Sequence, residues 1–166
     1  MEYFDVINKR YSCREYQDKK ISRDELNKIL EAGNLAPTAV NFQPQRIIVI
    51  ENEELLKKLS LATKYTFNSK TIICVVHDVN VSWHRYRDKR DFGTFDSAIV
   101  TTHMVLEATN LGIGSCIVCS MDENMVKEIL NLGENYIVDA LIPLGYPVKE
   151  GHHNTRKKLE EIVEYR

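Results

Sequence analysis

Two short stretches concentrate groups suited to chemistry. Arg10-Tyr-Ser12-Cys-Arg14 puts two guanidinium groups and a hydroxyl within five residues. Arginine forks bind phosphate oxygens bidentately and a serine hydroxyl adds one further bond, so the run is fitted to a phosphate. A solvated basic turn has the same composition, because arginine-rich turns are common on surfaces. The second stretch, Ala36-Pro-Thr38-Ala-Val-Asn41-Phe-Gln43-Pro44, holds three hydrogen-bonding side chains between two prolines. Each proline fixes a backbone angle, which favours a rigid loop. Asn41 and Gln43 each offer a donor and an acceptor, the complement of a heterocycle edge carrying both C=O and NH, or of sugar-like hydroxyls. A turn stitched by its own Asx-type side chains explains the same residues, so both readings stand.

Other chemistries find less support. Cys116-Ile-Val-Cys119 has the spacing of a redox dithiol or half a zinc site, yet no second CxxC exists. Residues three apart on a strand face opposite ways, and a structural zinc wants four ligands, so neither a metal nor a dithiol is expected. Among the histidines, His77, His84, His103, His152 and His153, His103 reads as a core histidine and His152-His153 as a loop pair. Trp83-His-Arg-Tyr-Arg-Asp-Lys-Arg90 interleaves aromatic and basic residues in the manner of single-strand binders. The net charge of −2 removes the diffuse positive field that such binders need. No nucleic-acid partner is expected, and Ser82 to Asp91 reads as a solvated loop or a lid. Gly112-Ile-Gly114 lacks the third glycine of a dinucleotide fingerprint, and no P-loop or serine or cysteine triad is legible.

The elements that must position these residues follow from periodicity and caps. Ser22-Arg-Asp-Glu25 has capping-box spacing and opens a helix ending near Leu35. Strands are expected at Arg46 to Glu51, Thr71 to His77, Ser115 to Val118 and Tyr136 to Leu144. Helices are expected at Glu53 to Leu61, at Asp96 to Leu111 closing on Gly112, and at Glu123 to Leu130 with Asp122 as cap. The helix from Asp96 is apolar on most faces, so it reads as central and buried. The tail Arg156 to Arg166 fits a helical stripe or an added strand equally well.

At 166 residues the chain suits one domain, 1–166. The longest apolar run, Ile72 to Val76, is far short of the roughly 20 residues that cross a bilayer. The opening Met1-Glu2-Tyr3-Phe4-Asp5 lacks a secretory signal's basic flank and apolar run. The expectation is therefore a cytoplasmic protein without membrane contact, in which Cys13, Cys74, Cys116 and Cys119 stay as free thiols.

In order and spacing these stretches resemble the FMN-dependent nitroreductase family, whose members carry R-R-S-x-R near the N-terminus and A-P-S-x-x-N-x-Q-P after the next helix. Leu111-Gly-Ile-Gly-Ser-Cys116 is similar to the family's L-G-L-G-[ST]-C, Leu144-Gly-Tyr-Pro147 to its L-G-Y-P, and Arg156-Lys-Lys-Leu-Glu-Glu-Ile-Val163 to its closing basic and L-E-E-[IL]-V run. The resemblance spans Arg10 to Val163. It implies an α+β nitroreductase-like sandwich, with a central mixed β-sheet flanked by helices and an intertwined homodimer holding FMN at the subunit interface.

The resemblance further implies that Arg10 and Ser12 hold the FMN phosphate, with Arg156 adding charge, and that Arg14 lies against the flavin pyrimidine edge. Pro37, Thr38 and Asn41 would come from the partner subunit, Asn68 would reach the pyrimidine edge, and Cys119 and Ser120 would offer backbone N–H groups to flavin N5. Tyr11 belongs to the same segment but replaces the family's usual Arg or His. Asn154 stands where some members have Lys, and Cys119 puts a thiol where Gly or Glu is common. No side chain is assigned as catalytic and no metal is implied. The implied activity is hydride transfer from NADH or NADPH, bound only transiently, through flavin N5 to a small planar acceptor such as a nitroaromatic or quinone. A flavin-binding carrier or sensor, or a family variant performing dehalogenation or flavin fragmentation, is the alternative.

Overall fold

The computed structural model describes all residues, Met1–Arg166. Its elements in chain order are α1 (Tyr3–Lys9), α2 (Arg23–Asn34), β1 (Gln45–Ile50), α3 (Glu53–Ala62), β2 (Thr71–Asp78), α4 (Gly93–Asn110), β3 (Gly114–Ser115), α5 (Glu123–Leu130) and β4 (Tyr136–Gly145). Local chemistry sets several of the boundaries. The Ser22 hydroxyl accepts from the Glu25 N–H while the Glu25 carboxylate accepts from the Ser22 N–H, which starts α2. Asn52 and Asp122 cap α3 and α5 more simply, their side-chain oxygens accepting from N–H groups of the first turn. Gly112, at φ 76°, turns the chain just past α4.

The strands form one sheet in the order β1-β2-β4-β3, and every named pairing is antiparallel. The one parallel contact is a lone bridge between Ser12 and Ser115. Side chains alternate across β2, so Ile73 and Val75 pack under α2 and α4 while Ile72, Cys74 and Val76 pack against the layer of α3 and α5. Burial on both faces explains why β2 reads as a continuous apolar run. Helix α4 touches all four strands of the sheet and both α1 and α2.

Three expectations are corrected and one helix is added. His103 is exposed and binds the Ile99 carbonyl of its own helix, because the face of α4 carrying Phe95, Thr102 and His103 points outward. The strand expected over Ser115 to Val118 is only Gly114–Ser115 followed by a single bridge from Val118 to Leu141. Helix α1 was not expected; it has no side-chain cap and buries only Val6, so it rests on packing against α4. The tail is neither helix nor strand but extended chain with one 3-10 turn at Leu159–Glu161. It leaves Leu159, Ile162 and Tyr165 largely exposed. No helix is long and apolar enough to cross a membrane.

Candidate functional site

Beyond α1 the chain runs extended beside β3, where the Cys13 N–H donates to the Ser115 carbonyl at 2.9 Å. Cys13 is buried, and the alternation of an extended chain turns Ser12 and Arg14 to its other side. Arg14 makes one bond, to the Ser12 carbonyl at 3.3 Å, and neither Arg10 nor Arg14 pairs with any carboxylate. Asn68 stands at the same end of the sheet. Its neighbour Ser69 is pinned there by a hydroxyl 2.6 Å from the carbonyls of both Thr71 and Leu144, where β2 begins and β4 ends. Phe67 and Asn68 are both left-handed, at φ 52° and 53°.

Tyr11 turns toward its own chain. Its hydroxyl donates to the Lys149 carbonyl, and its ring lies so close to Gly151 that an added Cβ there would come within 2.2 Å. Burial pushes its phenol up to about 12. Tyr11 thus fastens the segment leading to the tail. Between that segment and Ser12 to Glu15 lies an open groove of about 350 Å³.

The second stretch is at the far end of the sheet. Pro44 accepts from the Asp78 N–H at the close of β2, and Gln45 pairs with His77. Seven residue steps along β2, at ~3.3 Å each, separate the two ends by roughly 23 Å. Pro37, Val40, Asn41 and Gln43 are exposed. Val40, Asn41 and Gln43 have φ of 54°, 58° and 52°. A β-branched residue in this region costs on the order of 1–3 kcal/mol and persists only where its surroundings over-determine it. Three hydrogen bonds do so: Gln43 N–H to Thr38 Oγ1, Gln43 Nε2 to the Asn41 carbonyl, and Ala39 N–H to a carboxylate oxygen of Asp96 at 2.8 Å.

Cys119 and Ser120 are exposed past the bridge that ties Val118 to Leu141, and the Thr63 hydroxyl donates to the Ser120 carbonyl at 2.7 Å. Cys116, by contrast, is buried, and burial pushes its thiol up. Cys119 is exposed, and the two do not share a strand, since β3 ends at Ser115. Arg156 is exposed on the tail, bonded only to the Asn154 carbonyl. Within one chain, then, Arg10, Ser12 and Arg14 lie together, Asn68 stands at the same end of the sheet but lines a separate pocket beside α3, and Pro37, Thr38 and Asn41 lie at the far end.

One polar cluster escaped the sequence reading. His77, 2% exposed, sits between Asp139 Oδ2 at 2.7 Å from Nδ1 and Asp91 Oδ2 at 3.2 Å from Nε2. Asp139 is the extra residue of a β-bulge, since Val75 pairs with Ala140 while Val76 pairs with Val138. Gly93 is required here because a Cβ would lie 2.1 Å from the imidazole ring. Burial favours neutral imidazole, but the two carboxylates together outweigh it and raise the His77 pKa. Burial likewise opposes ionisation of Asp91, and hydrogen bonds including the Gly93 N–H and His77 overcome it and lower that pKa. The cluster anchors the 82–91 segment, in which Arg85 pairs with Asp88 and the guanidiniums of Arg85 and Arg90 lie over the Phe92 ring. A charged residue interrupting the apolar run of β4 was the one signal in the sequence.

Comparison with known proteins places these observations in a family. The Nitroreductase family profile matches residues 7–70 and 61–146, and the chain belongs to that family. A protein of Archaeoglobus fulgidus, provisionally named NADH dehydrogenase/NAD(P)H nitroreductase, is 37% identical over 158 residues, covering 90% of this chain and 87% of that one. The NADH dehydrogenase of Thermus thermophilus is 25% identical, over 95% of this chain and 93% of its own. Among solved structures, a nitroreductase family protein of Clostridium difficile superposes with a TM-score of 0.95 at 37% identity, covering 99% of this chain and 98% of that one. An FMN-dependent nitroreductase from another strain of that species gives 0.83 at 25% identity, over 98% of each chain.

Proposed function

We propose that this protein is a homodimeric, FMN-dependent oxidoreductase passing hydride from NADH or NADPH to a small planar acceptor such as a nitroaromatic or quinone. The observation that carries this reading is the division of the donor groups. A phosphate-type set and a heterocycle-type set lie at opposite ends of one sheet, so a single ligand can use both only where a second copy brings its far end alongside. Large apolar side chains left exposed, among them Phe4, Phe95, Leu159 and Ile162, supply surface for that second copy. The names of the Thermus and FMN-dependent relatives support the same reading.

The donor set suits the cofactor. Arg10 and Arg14 carry positive charge that no carboxylate of the chain neutralises; Arg10 and the Ser12 hydroxyl are the kind of groups an FMN phosphate requires, and the Arg14 charge suits the flavin edge. When bound, FMN would supply two-electron hydride chemistry at N5. Arg10 and Ser12 would hold the phosphate, with Arg156 adding charge, and Asn68 would meet the pyrimidine edge. Pro37, Thr38 and Asn41 of the partner subunit would complete the pocket, and the backbone N–H groups of Cys119 and Ser120 would face N5. Arg14 would place a fixed positive charge where negative charge accumulates on reduction, favouring the reduced over the oxidised state.

Arg14→Gln keeps hydrogen-bonding capacity and removes the charge. A fall of about 30 mV in midpoint potential, the equivalent of roughly 1.4 kcal/mol for two electrons, is expected in redox titration, with a smaller change in FMN affinity. An unchanged potential would remove Arg14 from the flavin edge. The activity itself is tested by steady-state oxidation of NADH and NADPH in the presence of a quinone by the FMN-loaded protein. Multiple turnovers are expected; flavin binding without turnover would leave a carrier or sensor.

A further inference from the structure

Between Thr38 and Gln43, all hydrogen bonds but one stay inside the loop: Asn41 N–H to the Thr38 carbonyl, Phe42 N–H to the Ala39 carbonyl, and the two made by Gln43. The exception is the Ala39 N–H, which donates to Asp96 Oδ1 at 2.8 Å. An exposed loop with three left-handed residues is therefore tied to the body of the protein by a single polar contact.

The acceptor is unusual. Asp96 is 0% exposed, and its second oxygen, Oδ2, is buried with no partner. Burying a carboxylate is costly, and the usual reasons for an acid in a first helical turn do not apply. The N-cap of α4 is Phe92, so Asp96 lies past the cap, and its own N–H is already bonded to the Phe92 carbonyl. Favourable interaction with the helix dipole needs no burial. The hydrogen bond to Ala39 is the only one its carboxylate makes in the chain.

We propose that Asp96 is a positioning residue of the flavin site: through the Ala39 N–H it fixes the loop with which Pro37, Thr38 and Asn41 of one subunit meet the flavin held by Arg10 and Ser12 of the other. This rests on the FMN reading above. It assigns to a buried helix residue a function in cofactor binding that it performs without touching the cofactor. It also predicts that Asp96 acts in trans to the phosphate-binding arginine.

The test uses FMN titration of full-length variants. Asp96→Ala should weaken FMN by about tenfold or more, whereas Asp96→Asn, which keeps an Oδ1 acceptor, should stay within about threefold of wild type. Ala39→Pro removes the donor and leaves α4 unaltered, so it should reproduce the loss even where Asp96→Ala folds poorly. Asp96→Ala and Arg10→Ala chains carrying different tags are then co-expressed and the mixed dimer is isolated. One of its two sites combines an intact Arg10 with an intact Asp96 loop, so half of the flavin sites should regain wild-type affinity. Wild-type affinity in Ala39→Pro, equal losses in the alanine and asparagine variants, or a mixed dimer with no recovered site would each overturn the proposal. A wild-type protein that takes up no FMN would instead overturn the reading on which it rests.

Discussion

Arg10→Ala is expected to weaken FMN by roughly 10- to 150-fold, the range of about 1.5–3 kcal/mol typical of a hydrogen bond to a charged group, while riboflavin affinity changes little. The difference between the two ligands isolates the phosphate, because riboflavin offers no anion for the guanidinium to neutralise. Arg10 is half-buried where α1 passes into the extended segment beside β3, and it has no protein carboxylate to satisfy. Its removal therefore breaks no internal ion pair, and the fold should be retained. Affinity for both ligands is measured by fluorescence titration; equal losses would show that Arg10 supports the pocket by packing and leaves the phosphate to other groups.

Asp139→Ala is expected to cost about 3–5 kcal/mol of stability, because it leaves the His77 imidazole with only Asp91 and removes one partner of a buried charged pair. The loss should depend on pH. His77 has its folded-state pKa raised above the ordinary 6.5. The stability it contributes is fully present below pH 6.5 and is lost as pH rises through the elevated folded value. Chemical denaturation at pH 6 and pH 9 should show wild type losing part of its stability over that interval. Asp139→Ala should be destabilised most at pH 6 and have a shallower pH dependence. Asp91 acts in the opposite window, adding stability above pH 3.8 that is lost as pH falls through its depressed folded value. A variant as stable as wild type at pH 6 would mean that His77 is neutral and held by packing alone.

What could be read from the sequence was what local chemistry decides. Ser22 with Glu25, Asp122 and Gly112 mark helix ends through bonds and angles within a few residues, and the structure places those ends as expected. Register is different in kind. The bulge at Asp139 exists only in the pairing of β4 with β2, so nothing in either strand alone shows that a carboxylate turns to His77. Helix α4 is apolar on so many faces that periodicity could not say which side His103 takes, and packing against α2 and the sheet left it outside.

The candidate site divides in the same way. Arg10, Ser12, Arg14, Thr38 and Asn41 were legible from donor chemistry and spacing. That the two groups occupy opposite ends of one sheet follows from topology, and the tie from Ala39 to Asp96 joins residues 57 positions apart.

The central claim is that this chain builds an FMN site from two copies of itself. Titrating the purified protein with FMN, followed by visible absorbance, tests it most directly. A perturbed flavin spectrum that saturates at one FMN per chain is expected. A spectrum that stays that of free FMN throughout the titration would contradict it.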